Sequence, residues 1–259
     1  FIGEGSGDAF GSAVSNAGDV NNDGTPDVIV GAYNDDDNGA ECGSARVFSG
    51  LDGSVLHTFY GDDSSDLLGF AVTDAGDLNS DGHADLAVSA LNDETSGAGA
   101  GTVYLFSGAD GSVLQTLPGQ PGEFLGNSLA CVGDIDGDGV PDLLAGAANS
   151  AINGVGSGSA RLCSGADGSV IYEFYGQVNS GLGASVGSAG DVNADGVPDF
   201  LIGSSIEFGG KGGARVYVSA SAVLCPSPVG DCPGDLTGEG IVNVDDLNVV
   251  LSNWQAVCP

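Results

Sequence analysis

Methionine is absent from this 259-residue chain, and it holds only two histidines, one tryptophan and four lysines and arginines together. Each scarcity closes off a class of function. Four basic residues against 36 acidic ones leave a formal charge of −32, so neither nucleic acid nor an anionic lipid surface finds a complementary patch. His57 and His83 leave little for imidazole catalysis, and no nucleophile elbow, phosphate loop or zinc signature occurs. The chain is therefore not expected to be an enzyme. No stretch is long and apolar enough to read as a membrane-spanning helix. Without Met, and starting at Phe1, the sequence is expected to be a processed mature product whose signal peptide has been removed, or a fragment of one.

What is abundant is glycine, 47 residues without a three-residue period, which points to many tight turns rather than to collagen. Hydrophobic residues make up 41% of the chain and recur at two-residue spacing in short runs, which reads as strands. One nine-residue string organises them: Asp-x-Asn/Asp-x-Asp-Gly-x-x-Asp, led by Gly. Its copies begin at Asp19, Asp77, Asp134 and Asp191, 57 or 58 residues apart. A period of that length is one supersecondary unit in a stacked array.

Positions 1, 3, 5 and 9 of the string carry side-chain oxygens. They are Asp19, Asn21, Asp23 and Asp27; Asp77, Asn79, Asp81 and Asp85; Asp134, Asp136, Asp138 and Asp142; and Asp191, Asn193, Asp195 and Asp199. Glycine at position 6 permits a sharp reversal. Donor sets of oxygen alone select a hard cation, Ca²⁺ before Mg²⁺, and not zinc or copper. One such string by itself could merely cap a turn; four in register predict four Ca²⁺ sites. With the even cysteine count (Cys42, Cys131, Cys163, Cys225, Cys232, Cys258), they place the chain in an oxidising, extracellular or cell-surface setting.

Each unit reads as four strands. In the second, Leu68 to Ala75, Leu86 to Ala90, Thr102 to Phe106 and Val113 to Leu117 are separated by the aspartate string, a polar Gly-rich connection and an Asp110-Gly111 hairpin turn. The hairpin recurs at Asp52-Gly53 and Asp167-Gly168. Tandem four-stranded antiparallel units predict an all-β fold, a β-propeller-type array of four four-stranded blades over residues 1–222. A β-sandwich, the rival, does not normally repeat its sequence so closely. Alternating strand direction puts the aspartate strings and the Asp-Gly hairpins on one face. The variable segments Asn34 to Asp37, Asn92 to Glu94, Asn149 to Gly158 and Phe208 to Lys211 fall on the other, where a partner is expected.

The flanks of the strings carry a family resemblance. Phe10-Gly11, Leu68-Gly69, Leu125-Gly126 and Leu182-Gly183, with Gly31-Ala32-Tyr33, Ser89-Ala90-Leu91, Gly146-Ala147-Ala148 and Gly203-Ser204-Ser205, resemble the FG-GAP repeats of integrin α-subunit propellers and many bacterial secreted proteins. The resemblance implies that position 7 lends its backbone carbonyl to the cation: Thr25, His83, Val140 and Val197. The ring of His83 is then a bystander. It also implies a secreted, non-catalytic module for adhesion, scaffolding or recognition, with a protein or glycan partner at the cell surface. Propellers of that family commonly have seven blades, so four strings leave a small closed ring, completion by another chain or an open array as alternatives. Phe1-Ile2-Gly3 matches Phe59-Tyr60-Gly61 and Phe174-Tyr175-Gly176, the tail of an outer strand. Completion of that strand by a neighbour would make the chain the subunit of a homo-polymer.

Residues 223–259 change character. Asp235, Thr237, Glu239, Ile241 (through its backbone), Asn243 and Asp246 resemble the EF-hand-like loop of half a dockerin, a fifth Ca²⁺ site. A helix carrying Val244, Leu247, Leu251 and Trp254 on one face follows. The dockerin likeness gives a further alternative, the accessory recognition part of a secreted polysaccharide-degrading system. Cys232 and Cys258 flank this unit as a candidate disulfide, contributing about 3.5 kcal/mol by loop entropy.

Overall fold

Fifteen strands in four sheets follow one another along the chain in a computed structural model that describes residues 1–3, 5–206 and 210–219, with the backbone of 223–224 and 241–242. Sheet 1 is β1 (Ala13–Gly18), β2 (Asp27–Ala32), β3 (Ser44–Phe48) and β4 (Val55–Tyr60). Sheet 2 is β5 (Leu68–Gly76), β6 (Asp85–Ala90), β7 (Thr102–Phe106) and β8 (Val113–Pro118). Sheet 3 is β9 (Ser128–Gly133), β10 (Asp142–Ala147), β11 (Ser159–Cys163) and β12 (Val170–Tyr175). Sheet 4 is β13 (Leu182–Gly190), β14 (Asp199–Ser204) and β15 (Gly213–Tyr217). Strands are hydrogen-bonded in chain order, each antiparallel to the next.

The four sheets are those the repeat predicts; three strands of sheet 4 lie among the described residues, and the expected fourth lies outside them. Sheets 1 to 3 turn from third to fourth strand through Asp-Gly-Ser, in which the aspartate accepts the amide of the serine (Asp52 from Ser54, Asp110 from Ser112, Asp167 from Ser169). Residues 220–222, where the corresponding turn of sheet 4 would fall, lie outside the described residues. Two-residue strands β16 (Val223–Leu224) and β17 (Ile241–Val242) pair with each other. The tail ligands Asp235, Thr237, Glu239, Asn243 and Asp246, the expected helix and the Cys232 to Cys258 bridge lie outside the described residues. Ile241 is described only as backbone in β17.

The sheets stack face to face, the inner strands β1, β5, β9 and β13 adjoining in order. Each interior junction is apolar because the strands alternate: one set of side chains faces the preceding sheet, the other the following one. Between sheets 1 and 2, Ile29, Ala45 and Val47 meet Leu86 and Val88 in one core cluster, and Phe59 stacks on Phe106 with ring centroids 4.0 Å apart. The next two junctions repeat the arrangement around Leu105 and Leu143, then around Leu162 and Ile202. Cys42, Cys131 and Cys163 are free thiols. Burial raises the pKa of each, that of Cys163 to about 11, so these thiols stay protonated at neutral pH.

One repeat position reports the stacking directly: Val47 is 0% exposed in sheet 1, whereas its counterpart Val216 in sheet 4 is 40% exposed. Val47→Ala is expected to cost about 2 kcal/mol from lost burial and a residual cavity. Val216→Ala should stay within about 0.5 kcal/mol of the parent. Paired urea unfolding curves measure both.

Candidate metal centres

The four aspartate strings become four loops joining first to second strand, and they share an internal hydrogen-bond plan. The position-1 aspartate accepts the amides of positions 5 and 6: Asp19 from Asp23 (2.9 Å) and Gly24 (2.8 Å), Asp77 from Asp81 and Gly82, Asp134 from Asp138 and Gly139, Asp191 from Asp195 and Gly196. The position-3 side chain also accepts the amide of position 5. Position 5 accepts the amide of position 7: Asp23 from Thr25, Asp81 from His83, Asp138 from Val140, Asp195 from Val197. Where position 3 is Asn, its NH₂ donates to the carboxylate of position 5 at 2.8–2.9 Å.

These bonds draw the side chains of positions 1, 3 and 5 to one point. In the third loop, oxygens of Asp134, Asp136 and Asp138 lie within 4.8 Å of one another, the only such acidic trio among the described residues. A cation bound at about 2.3–2.6 Å fits between oxygens so spaced. In the other loops an Asn carbonyl stands where Asp136 does, one charge fewer. The amide of His83, then the Asn79 side chain, holds the carboxyl of Asp81 below its usual range.

Position 9 has a task that its place in the string does not reveal. Asp27, Asp85, Asp142 and Asp199 are at most 1% exposed. One oxygen of each accepts the amide of position 2 (Val20, Leu78, Ile135, Val192) at 2.7–2.8 Å. The other accepts an amide from beyond the third strand: Gly50, Gly108, Gly165 and Ser219, at 2.8–3.1 Å. The carboxylate thus bolts the loop to the chain leaving the third strand, and Asp142 is not part of the acidic trio beside it. Burial raises the pKa of Asp85 and lifts that of Asp142 to about 6, against the two amides that favour the charged form.

Neighbouring loops also touch. His83 Nδ1 lies 2.7 Å from the carbonyl oxygen of Val20, and the amide of Ala84 donates to the carbonyl of Asp19. The ring of His83 therefore links two loops. Pro141 packs on Gly76 and Pro198 on Gly133, where a Cβ would come within 2.8 Å of the ring; positive φ at Gly18, Gly76, Gly133 and Gly190 is what all four strings share. Position 4 was invisible in the sequence. Asn22, Ser80, Gly137 and Ala194 are all left-handed there (φ 55–81°), and only Gly137 takes that conformation without steric cost.

On the opposite face the variable connections are partly structural. Asp35 is buried against Ser44, and Arg46 stands 3.9 Å from it. Asp93 is buried and accepts the hydroxyl of Tyr104 at 2.8 Å. In sheet 3 Ser150 replaces these aspartates, and Arg161 pairs with buried Glu123 through two bonds of 2.8 and 3.0 Å. An open cleft of about 380 Å³ remains, lined by Asp63, Ser65, Asp66, Asn92, Glu94 and Thr95 among others. Of Phe208 to Lys211, only Gly210 and Lys211 are described.

Comparison with known proteins accords with this architecture. Residues 77–145 match the FG-GAP-like repeat and residues 10–45 the FG-GAP repeat. The chain is 31% identical over 163 residues to integrin alpha-6 of Gallus gallus, covering 59% of this chain and 15% of that protein. It is 32% identical over 217 residues to the phosphatidylinositol-glycan-specific phospholipase D of Homo sapiens, covering 72% of this chain and 22% of that one. A rhamnogalacturonan lyase from Bacillus licheniformis matches at a TM-score of 0.48 and 15% identity, over 83% of this chain and 47% of the other. The chain spans less than a quarter of the length of these two sequence relatives. The matched segments, which span parts of sheets 1, 2 and 3, are FG-GAP repeats similar to those of integrin alpha chains.

Two substitutions separate the internal plan of the loops from any cation. Asp27→Ala leaves two buried amides without an acceptor and should cost about 2–6 kcal/mol at 1–3 per group, measured by urea unfolding in chelator. Ala194→Gly removes left-handed strain and should stabilise by about 0.5–1 kcal/mol, read from the same curves.

Proposed function

We propose that the chain is a calcium-stabilised, extracellular, non-catalytic recognition module, its four loops holding structural Ca²⁺ and its opposite face meeting a protein or glycan at the cell surface. The observation that carries this reading is the hydrogen-bond plan that positions 1, 3 and 5 share in all four loops, with the acidic oxygens of the third loop converging within 4.8 Å, at the same place in four stacked sheets. Oxygen is their only donor. Asp19, Asn21 and Asp23, with their counterparts, would hold the ion, and the carbonyls of Thr25, His83, Val140 and Val197 would complete the set. The amide network already fixes loop shape, so ions would mainly neutralise the close carboxylates and stiffen one rim. Likeness to integrin alpha chains supports an adhesive role on the other rim, which carries the variable connections and the acidic cleft. No helix among the described residues is long and apolar enough to cross a membrane.

Extracellular modules bind Ca²⁺ with Kd about 10⁻⁴–10⁻³ M. At millimolar Ca²⁺ each site then adds roughly 0.4–1.4 kcal/mol, a few kcal/mol for four. Calorimetric scans in chelator and in about 1 mM CaCl₂ should therefore differ in Tm by roughly 5–15 °C. Equal Tm in both buffers, with no heat on calcium titration, would remove the cation from the reading. Turnover of a pectic polysaccharide or a phosphatidylinositol glycan would remove the non-catalytic part.

A further inference from the structure

The four loops are alike within themselves but not in how they meet. Position 8 is proline in three of them, Pro26, Pro141 and Pro198, and alanine in the second, Ala84. Proline has no amide hydrogen to donate. Pro141 and Pro198 therefore meet the preceding loop by ring packing on Gly76 and Gly133. The position-7 side chains beside them, Val140 and Val197, are apolar.

The second loop meets the first differently. The amide of Ala84 donates to the carbonyl of Asp19 at 3.1 Å, and His83 Nδ1 lies 2.7 Å from the carbonyl oxygen of Val20. A carbonyl only accepts, so Nδ1 carries the proton in that bond. Both donors belong to the second loop, and both acceptors to positions 1 and 2 of the first. Asn22 Nδ2 is close as well, 3.7 Å from where a Cβ on Gly82 would stand; the same point at Gly139 and Gly196 has no neighbour within 4 Å. Ala84 keeps the packing too, its Cβ resting over Gly18 as the prolines do over their glycines.

One peptide group carries the link. The C=O of His83 and the N–H of Ala84 are the two ends of a planar unit, and in a trans peptide they point opposite ways. The N–H is bonded to the first loop. The C=O is the position-7 carbonyl that, in the proposed function, serves the ion of the second loop. Coordination at that carbonyl would polarise the N–H and strengthen its bond to the Asp19 carbonyl. The bond restrains the main chain of the very residue whose carboxylate heads the first loop, so ordering one loop leaves less to order in the other.

We infer that the first and second loops bind calcium as a coupled pair while the third and fourth fill independently, and that Ala84 decides the difference. The inference rests on the calcium reading of the loops and adds a linkage between two of its sites. Linkage is reciprocal: filling the second loop raises the affinity of the first by the same factor as the reverse.

Titration of the whole chain with CaCl₂, followed by NMR at one glycine amide per loop, tests it. Gly24, Gly82, Gly139 and Gly196 each donate to the position-1 carboxylate of their own loop, so each reports its own site. Gly24 and Gly82 should shift together along one steep curve, and Gly139 and Gly196 along separate simple ones. Ala84→Pro copies the other three loops; it should uncouple the pair and weaken the first loop by about fivefold or more. Asp81→Asn, which disables the second loop, should weaken the response of Gly24 by a comparable factor and leave that of Gly196 unchanged. Simple curves at Gly24 and Gly82, an Ala84→Pro chain that titrates like the parent, or a Gly24 response indifferent to Asp81→Asn each overturn the inference and leave the calcium reading standing. Glycine amides that ignore calcium in all four loops remove both.

Discussion

The fold depends on a buried carboxylate that occurs once per sheet. Asp27, Asp85, Asp142 and Asp199 each take one amide from the loop before the second strand and one from the chain after the third. A loop rich in like charges is thereby held against the end of its own sheet by charge-assisted bonds to a buried carboxylate, and burial strengthens such bonds. Within the anchored loop, the amide bonds accepted by positions 1, 3 and 5 set its shape.

A second constraint is the closeness of the sheets. Small residues permit it: Gly76 and Gly133 receive Pro141 and Pro198 of the following loop, and Gly31 lies so near the backbone of Gly69 that no Cβ fits. With little polar side-chain chemistry in the junctions, stacking rests on Val, Leu, Ala and Phe in alternation. Most acidic groups among the described residues sit in the loops at the rims. Buried exceptions are individually matched: Glu123 by Arg161, Asp93 by Tyr104, Asp35 by Ser44.

These two constraints separate the tasks of the two rims. On one, geometry is repeated and local, as suits a cation site formed within nine residues. On the other, the connections differ from sheet to sheet, and buried polar groups make the differences tolerable. Sheet 1 uses Asp35 with Arg46, sheet 2 Asp93 with Tyr104, and sheet 3 relocates its acid to Glu123 in the preceding connection. A surface so varied on a constant frame is what recognition requires.

Much of this was legible in the sequence because a repeat writes the same local physics several times. The strands announced themselves by two-residue alternation, the hairpins by Asp-Gly, and the oxygen donors of positions 1, 3 and 5 by their spacing; all are short-range properties. The sequence alone therefore determined the all-β class, the four sheets and the rim that carries the carboxylates. Only the tertiary structure decided what long-range contact sets: that position 9 is a buried tie to an amide twenty or more residues away, that position 4 is left-handed, and that His83 spans two loops. Those depend on which groups meet across sheets, and no spacing along one strand encodes the burial and backbone approach of another.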